Sequence, residues 1–269
     1  MHSRVSLDSK TSMAEQIEKA IELGLEEICF TEHLDFDERE RSQTKNLNNG
    51  PRSGFMDETD YWQQIASARR QFDQRIKIGY GVEAGQGHHA PQQAQALIEA
   101  QPYDFVLASI HLMHESGMTI SVPWRDGLSE AETYPVYFDD LILLSGMDFF
   151  DVVAHCDIIK RFGTEKFGPF QAHKYEEKIR TAFANLIRRG KGIEINTSGL
   201  RQSCQETMPN LTLLQWYREM GGEILTLGSD AHAPSSLAYG LEQGYALARA
   251  AGFRYFTTFH QRKPDFHLL

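Results

Sequence analysis

At 269 residues, 41% hydrophobic and 24% charged, the chain can form one large α/β unit or two small domains, and it is too apolar to be disordered. Its formal net charge of -10 argues against a broad nucleic-acid surface, which needs basic patches, but leaves room for a local anion site whose sign metal ions reverse. The scattered cysteines Cys29, Cys156 and Cys204 exclude a disulfide framework and suit a reducing cytoplasm, and no apolar run reaches the roughly 18 residues that suggest a membrane helix.

In chain order, Ser12 and Glu15 form a capping box ahead of an apolar stripe at Met13, Ile17, Ala20 and Ile21, and Gly24 ends that helix. EEICFTEH follows as a buried strand. The polar, turn-rich stretch Asp37 to Thr59 (37–59) reads as a long loop over a site. A helix near Asp60 to Phe72 leads to strand KIGYGVE, a helix from about Pro91, strand DFVLASIH and a helix near Glu130 to Leu144. Next come strand FFDVVAH, helix His173 to Arg189, strand GIEINTS, helix Leu211 to Met220, strand EILTLGSDAH, helix Leu237 to Ala251 and a last short strand, YFTTF. No Gly/Ser/Pro linker separates these elements, so 1–269 reads as one domain. Such βα alternation implies a mostly parallel sheet, open and doubly wound or closed as a barrel.

The chemistry lies at the strand ends. His33 ends TEH, Glu83 ends GVE, His111 ends SIH and His155 ends VAH; Glu194 and Asn196 lie in EINTSG, and Asp230 and His232 in GSDAH. In a parallel barrel the C-terminal strand ends converge on one face, where active sites are built. A lone histidine or acid at a strand end is an ordinary capping or surface residue. Together, these histidines and acidic groups would be costly to bury without cations. Imidazole and carboxylate without thiolate suit zinc, manganese or iron, and a carboxylate such as Glu83 can bridge two ions in a phosphoester hydrolase.

The ordered pieces HSRVSLD, FTEHLD, GYGVEAG, SIHLM, AHCDIIKRFG, EINTSGL and GSDAH resemble the PHP family of metal-dependent phosphoesterases, in particular its histidinol-phosphate phosphatases, and YFTTFHQRKPDF is similar to that group's C-terminus. The resemblance implies a distorted (β/α)7 barrel of the PHP type holding two or three divalent ions. It places His2, Glu83 and Asp230 at a first ion, Glu83, His111 and His155 at a second, and Asp8, His33 and His232 at a third. Family members often carry histidine where Asp8 stands; a hard oxygen ligand there shifts preference toward manganese or iron. Glu83, Asp230 and Arg161 are expected to carry the catalysis, with Arg161 and Arg201 as guanidinium forks for phosphate oxygens. The implied reaction is hydrolysis of a small phosphorylated substrate, L-histidinol phosphate, by a metal-bound hydroxide in histidine biosynthesis, with no nucleic acid or membrane partner.

Around these residues, Glu32 is expected to orient His33, and Phe55, Asp57 or Tyr61 to face the substrate. His88 and His89 read as loop residues, His114 and His173 as solvated, and Cys156 as pointing away from the mouth. The family's first motif is D-x-H-x-H, of which only the last histidine stands here, as His2, and the first strand is missing with the rest. One expectation is a true start upstream of Met1, favoured because every other ligand is present. The other is a chain that begins here with an open barrel edge. Two rival functions remain: a PHP phosphoesterase for nucleotides or oligonucleotide ends, and a non-catalytic PHP scaffold.

Overall fold

The computed structural model describes residues 1–6, 8–36, 56–113 and 127–269. Six parallel strands form one sheet in chain order: β1 (Glu27–Asp35), β2 (Lys77–Gly85), β3 (Phe105–Ser109), β4 (Val152–Val153), β5 (Gly192–Asn196) and β6 (Leu225–Gly228). The connecting helices are α1 (Met13–Glu22), α2 (Glu58–Gln71), α3 (Pro91–Glu99), α4 (Glu130–Ser145), α5 (Ile159–Phe167), α6 (Glu176–Arg188), α7 (Leu211–Glu219) and α8 (Leu241–Ala250). A hairpin of β7 (Tyr255–His260) and β8 (Lys263–Leu268) closes the chain. Among the described residues no helix is long and apolar enough to cross a membrane.

Local chemistry explains the helix starts. Ser12 Oγ accepts from Glu15 N while Glu15 Oε2 accepts from Ser12 N, and Ser129 and Glu132 cap α4 in the same reciprocal way. Alternation along the strands sorts side chains into two cores. Phe30, Tyr80, Val82, Val106 and Ile193 pack outward against the helices, as does Cys156. Phe105, Leu107, Val152, Ala154 and Phe259 fill the inside of the sheet, with Cys29 beside them. There Gly79 and Gly81 are required for close approach: a Cβ at either would stand 2.8 or 2.7 Å from Cys29 Sγ.

β1 and β6 are the two edges of the ladder. Between their C-terminal ends the first two residues take the place of a strand: Thr31 N donates to Met1 O, and His2 N donates to Ala231 O. This holds His2 at the mouth although no hydrogen bond joins β6 to β1 directly. A cavity of about 220 Å³ runs from Glu83 and His155 down between Cys29, Leu107 and Phe259.

Several expected elements differ. The ladder of β4 is two residues long, because the chain turns at His155, whose φ is 28°. β6 stops at Gly228, so Asp230 and His232 sit on the turn beyond it. Helix α5 begins within AHCDIIKRFG and runs on to Phe167; Gly163 obscured its helical pattern, and the glycine is there because a Cβ would meet Tyr134 Oη at 2.1 Å. YFTTF pairs antiparallel with KPDFHL, whose proline and charges hid its strand character. Of the expected loop 37–59, residues 37–55, including Phe55, lie outside the described residues, as does His114; helix α2 already begins at Glu58.

Candidate metal centre

The register of β1 and β2 places His33 directly opposite Glu83. Both face the inside of the sheet, and Glu83 divides its two oxygens. Oε1 lies 3.1 Å from His111 Nε2 and 3.2 Å from His155 Nε2, whereas Oε2 lies 3.4 Å from His2 Nε2 and 3.7 Å from His33 Nδ1. His2 Nε2 is also 3.4 Å from Asp230 Oδ1. Asp8 Oδ2 stands 3.4 Å from His33 Nε2 and 2.9 Å from His232 Nε2. The rings of His33 and His232 each stack on His2, at centroid distances of 4.3 and 4.2 Å, and lie 6.0 Å from each other.

All eight expected ligands therefore meet in one cluster. Its spacings fit ions: two donors each about 2.1 Å from a tetrahedral zinc stand roughly 3.4 Å apart. Electrostatics fits as well. Burial alone would raise the Glu83 and Asp230 carboxyls, but the surrounding imidazoles hold both well below the usual carboxylate range. Burial alone would lower the His33 imidazole, and the Glu83 and Asp8 carboxylates overcome it, holding the ring up to about 10. His232 is likewise raised against its burial, chiefly by Asp8.

Backbone strain marks two of these positions. His155 and Asp230 have φ of 28° and 50°, a region that non-glycine residues avoid and that functional sites retain when surrounding contacts enforce it. At His155 the enforcing contact is Glu194, whose carboxylate accepts from His155 N at 3.2 Å. Glu194 fits because Gly228, on the neighbouring strand, has no Cβ, which would stand 2.2 Å from its Oε1. Burial raises the Glu194 carboxyl.

Glu32 acts differently from the sequence expectation. Fully buried, it accepts from the backbone N–H and hydroxyl of both Ser3 and Ser6, and so organises the turn after His2. Ser6 Oγ spends its proton on Glu32 and accepts from His33 N at 3.0 Å. Its 3.3 Å contact with His2 Nδ1 therefore requires Nδ1 to donate, which turns Nε2 toward Glu83 and Asp230. Glu32 thus orients His2 through Ser6 and does not contact the His33 ring.

Asp35, not singled out from the sequence, completes a further group with His33 and His111, its Oδ1 being 3.8 Å from His111 Nδ1. Its place at the end of β1, two residues past His33 on the same face, was the available signal. Tyr61 does not face a substrate: it is fully buried and donates to Phe30 O and Gly81 O, bridging β1 and β2. Asp57 is the N-cap of α2. His173 is exposed beside Glu176.

Arg201 lies at the rim. Its Nη2 donates to Asp230 O at 2.8 Å and its guanidinium stacks 5.8 Å from the Tyr239 ring. Nη1 is buried and has no hydrogen-bond partner among the described residues. Burial lowers the Arg201 pKa; Asp230 opposes this, and the neighbouring Arg161 charge adds to it. Two guanidinium groups that feel each other's charge, one with an unused buried donor, have the chemistry to hold an anion. Arg161 sits on the first turn of α5, where its carbonyl accepts from Ser203 Oγ.

Residues 1–198 match the PHP domain. The chain belongs to the PHP family. Over 267 residues, 98% of this chain and 94% of the relative, it is 27% identical to the histidinol-phosphatase of Lactococcus lactis subsp. lactis strain IL1403. A crystal structure of histidinol phosphate phosphatase from that organism, complexed with zinc, L-histidinol and phosphate, superposes with a TM-score of 0.85 at 26% identity, covering 98% of this chain and 97% of that one. A structure from Listeria monocytogenes shares the fold, with a TM-score of 0.75 at 18% identity over 90% of this PHP chain and 97% of its own.

Proposed function

We propose that this chain hydrolyses the phosphomonoester of L-histidinol phosphate to L-histidinol and inorganic phosphate, the histidinol-phosphatase step of histidine biosynthesis. The observation that carries it is the division of Glu83 between His111 and His155 on one oxygen and His2 and His33 on the other, in a mouth bordered by Arg201. The relatives that align along nearly the whole chain support the substrate.

In this reading His2, Glu83 and Asp230 hold one divalent ion, Glu83, His111 and His155 a second, and Asp8, His33 and His232 a third. Bound there, zinc, manganese or iron would acidify water and neutralise phosphoryl charge. Glu83, as the shared carboxylate, fixes the spacing of two of these positions. Ser6 and Glu32 hold the His2 proton on Nδ1. Arg201, through its buried Nη1, and Arg161 bind the non-bridging phosphoryl oxygens and favour the transition state, in which those oxygens carry the developing charge. Strained His155 and Asp230 keep their side chains in place before substrate arrives. We place the reaction in the cytoplasm, on its three free cysteines and its small-metabolite substrate.

Release of inorganic phosphate from a panel of monoesters tests this. Rapid release from histidinol phosphate by metal-loaded protein is expected. Release from a nucleoside monophosphate but not from histidinol phosphate would overturn the substrate, and release from neither would overturn the hydrolase.

A further inference from the structure

Just past the C-terminal end of β2, a second group of ligand-type side chains is gathered where the strand hands the chain to α3. Gln86 adopts a left-handed conformation, φ 55°, that turns the chain off the strand, and a single 3-10 turn over Gly87–His89 then presents two successive imidazoles. Gly87 is pressed so closely on Phe149 that a Cβ would stand 2.3 Å from the ring, which fixes the turn against the wall of the domain. From the other side α4 contributes Asp140, a carboxylate buried mid-helix.

We infer that His88, His89 and Asp140 form a separate binding site for one divalent cation of the zinc class, which ties helix α4 to the turn after β2. The ligand atoms of the three residues all lie within 4.8 Å of one another. His88 Nε2 and Asp140 Oδ1 are 3.9 Å apart, and their side chains are 0% and 2% exposed. That separation is too long for a hydrogen bond, yet it falls within the span of two donors, each about 2.1 Å from one ion. The two imidazoles meet edge to face, 69° between planes with centroids 4.3 Å apart, so they approach from different directions instead of stacking flat.

The donor set also indicates the ion. Two imidazoles and one carboxylate, without thiolate, form a three-ligand set that zinc completes with a fourth ligand such as water. A dication held between the two imidazoles would also balance the charge of this deeply enclosed carboxylate. None of the three residues belongs to the groups centred on Glu83, His33 and His232, so occupancy here is independent of the mouth. The role that follows is structural: an ion bound only by the folded chain adds its binding free energy to stability, and here it couples two elements far apart in sequence.

Zinc anomalous diffraction on the zinc-loaded full chain, with metal content measured on wild type, His89→Gln and Asp140→Asn, tests this. A peak enclosed by His88, His89 and Asp140 is expected. Each variant should lose about one zinc equivalent, keep its peaks at Glu83 and keep its rate of phosphate release. His89 is half-buried, so its glutamine variant should fold, and retained phosphate release checks that it has. Peaks at the mouth alone in wild type, or zinc content unchanged in both variants, would overturn the site. Loss of the mouth's peaks in a folded variant would overturn its independence.

Discussion

The two ends of the sheet both bury carboxylates, but they give them different partners. At the C-terminal end, Glu83, Asp230 and Asp8 face imidazoles. At the N-terminal end, Asp104 faces Arg69 and Asp151 faces Arg262, and the turn of the final hairpin is bolted on by Gln261 N donating to Asp104 Oδ1 and Arg262 N donating to Asp104 O. Gln261 and Arg262 both have positive φ, the two-residue turn that suits a hairpin, here held by these bonds without glycine. A guanidinium never gives up its proton, so the floor is complete in itself. An imidazole can exchange its proton for a metal ion, so the mouth is complete only with cations. The same acids thus build a lock at one end and a receptor at the other.

The comparison breaks most sharply if a mouth ligand can be removed without cost to activity. His111→Ala should lower phosphate release by more than about a thousandfold, beyond the loss of a single transition-state donor, while far-UV circular dichroism stays native. Arg201→Ala, at the rim beside Asp230 and outside the expected ligand set, should lower kcat/KM about a hundredfold with metal content unchanged. If metal is lost as well, Arg201 belongs to the ligand scaffold and not to the anion receptor. At the floor the effect should move from rate to stability: Arg262→Ala leaves the Asp151 carboxylate buried without its guanidinium, and chemical denaturation should report a loss of about 2 kcal/mol at near-normal turnover.

The smallest effect is in pH. In the metal-free chain the His33 ring, held up to about 10, adds stability that is fully present below its unfolded value near 6.5 and is lost as the pH rises toward 10. Cations bind the deprotonated ring, so their stabilisation changes in the opposite sense. The rise in Tm on adding zinc or manganese should therefore grow from about pH 6.5 toward 9. A rise that is constant or shrinks over that range would place His33 outside the ligand set.

Much of this was legible because most of the expected ligands lie at or just beyond the ends of strands with clear hydrophobic runs. Once GVE and TEH are read as parallel neighbours, His33 and Glu83 fall on one face. Where the reading failed, a contact remote in sequence decided the outcome. Tyr61 looked free to meet a ligand, yet its hydroxyl is committed to Phe30 O and Gly81 O. Glu32 looked like a partner of its neighbour His33, yet period-two alternation turns it to the opposite face, toward Ser3 and Ser6. Asp35 was passed over although its spacing from His33 put it on the mouth face.

The sequence by itself determined the alternating architecture, the residue types at the strand ends and hence the class of chemistry, because hydrophobic period and donor type are local properties. Only the tertiary structure decided how the Glu83 oxygens are shared, how Met1 and His2 bridge the ends of β1 and β6, and that His88 and His89 meet Asp140. Those depend on strand register, on backbone turns at His155, Asp230 and Gln86, and on glycines that let chains approach, none of which a linear pattern specifies.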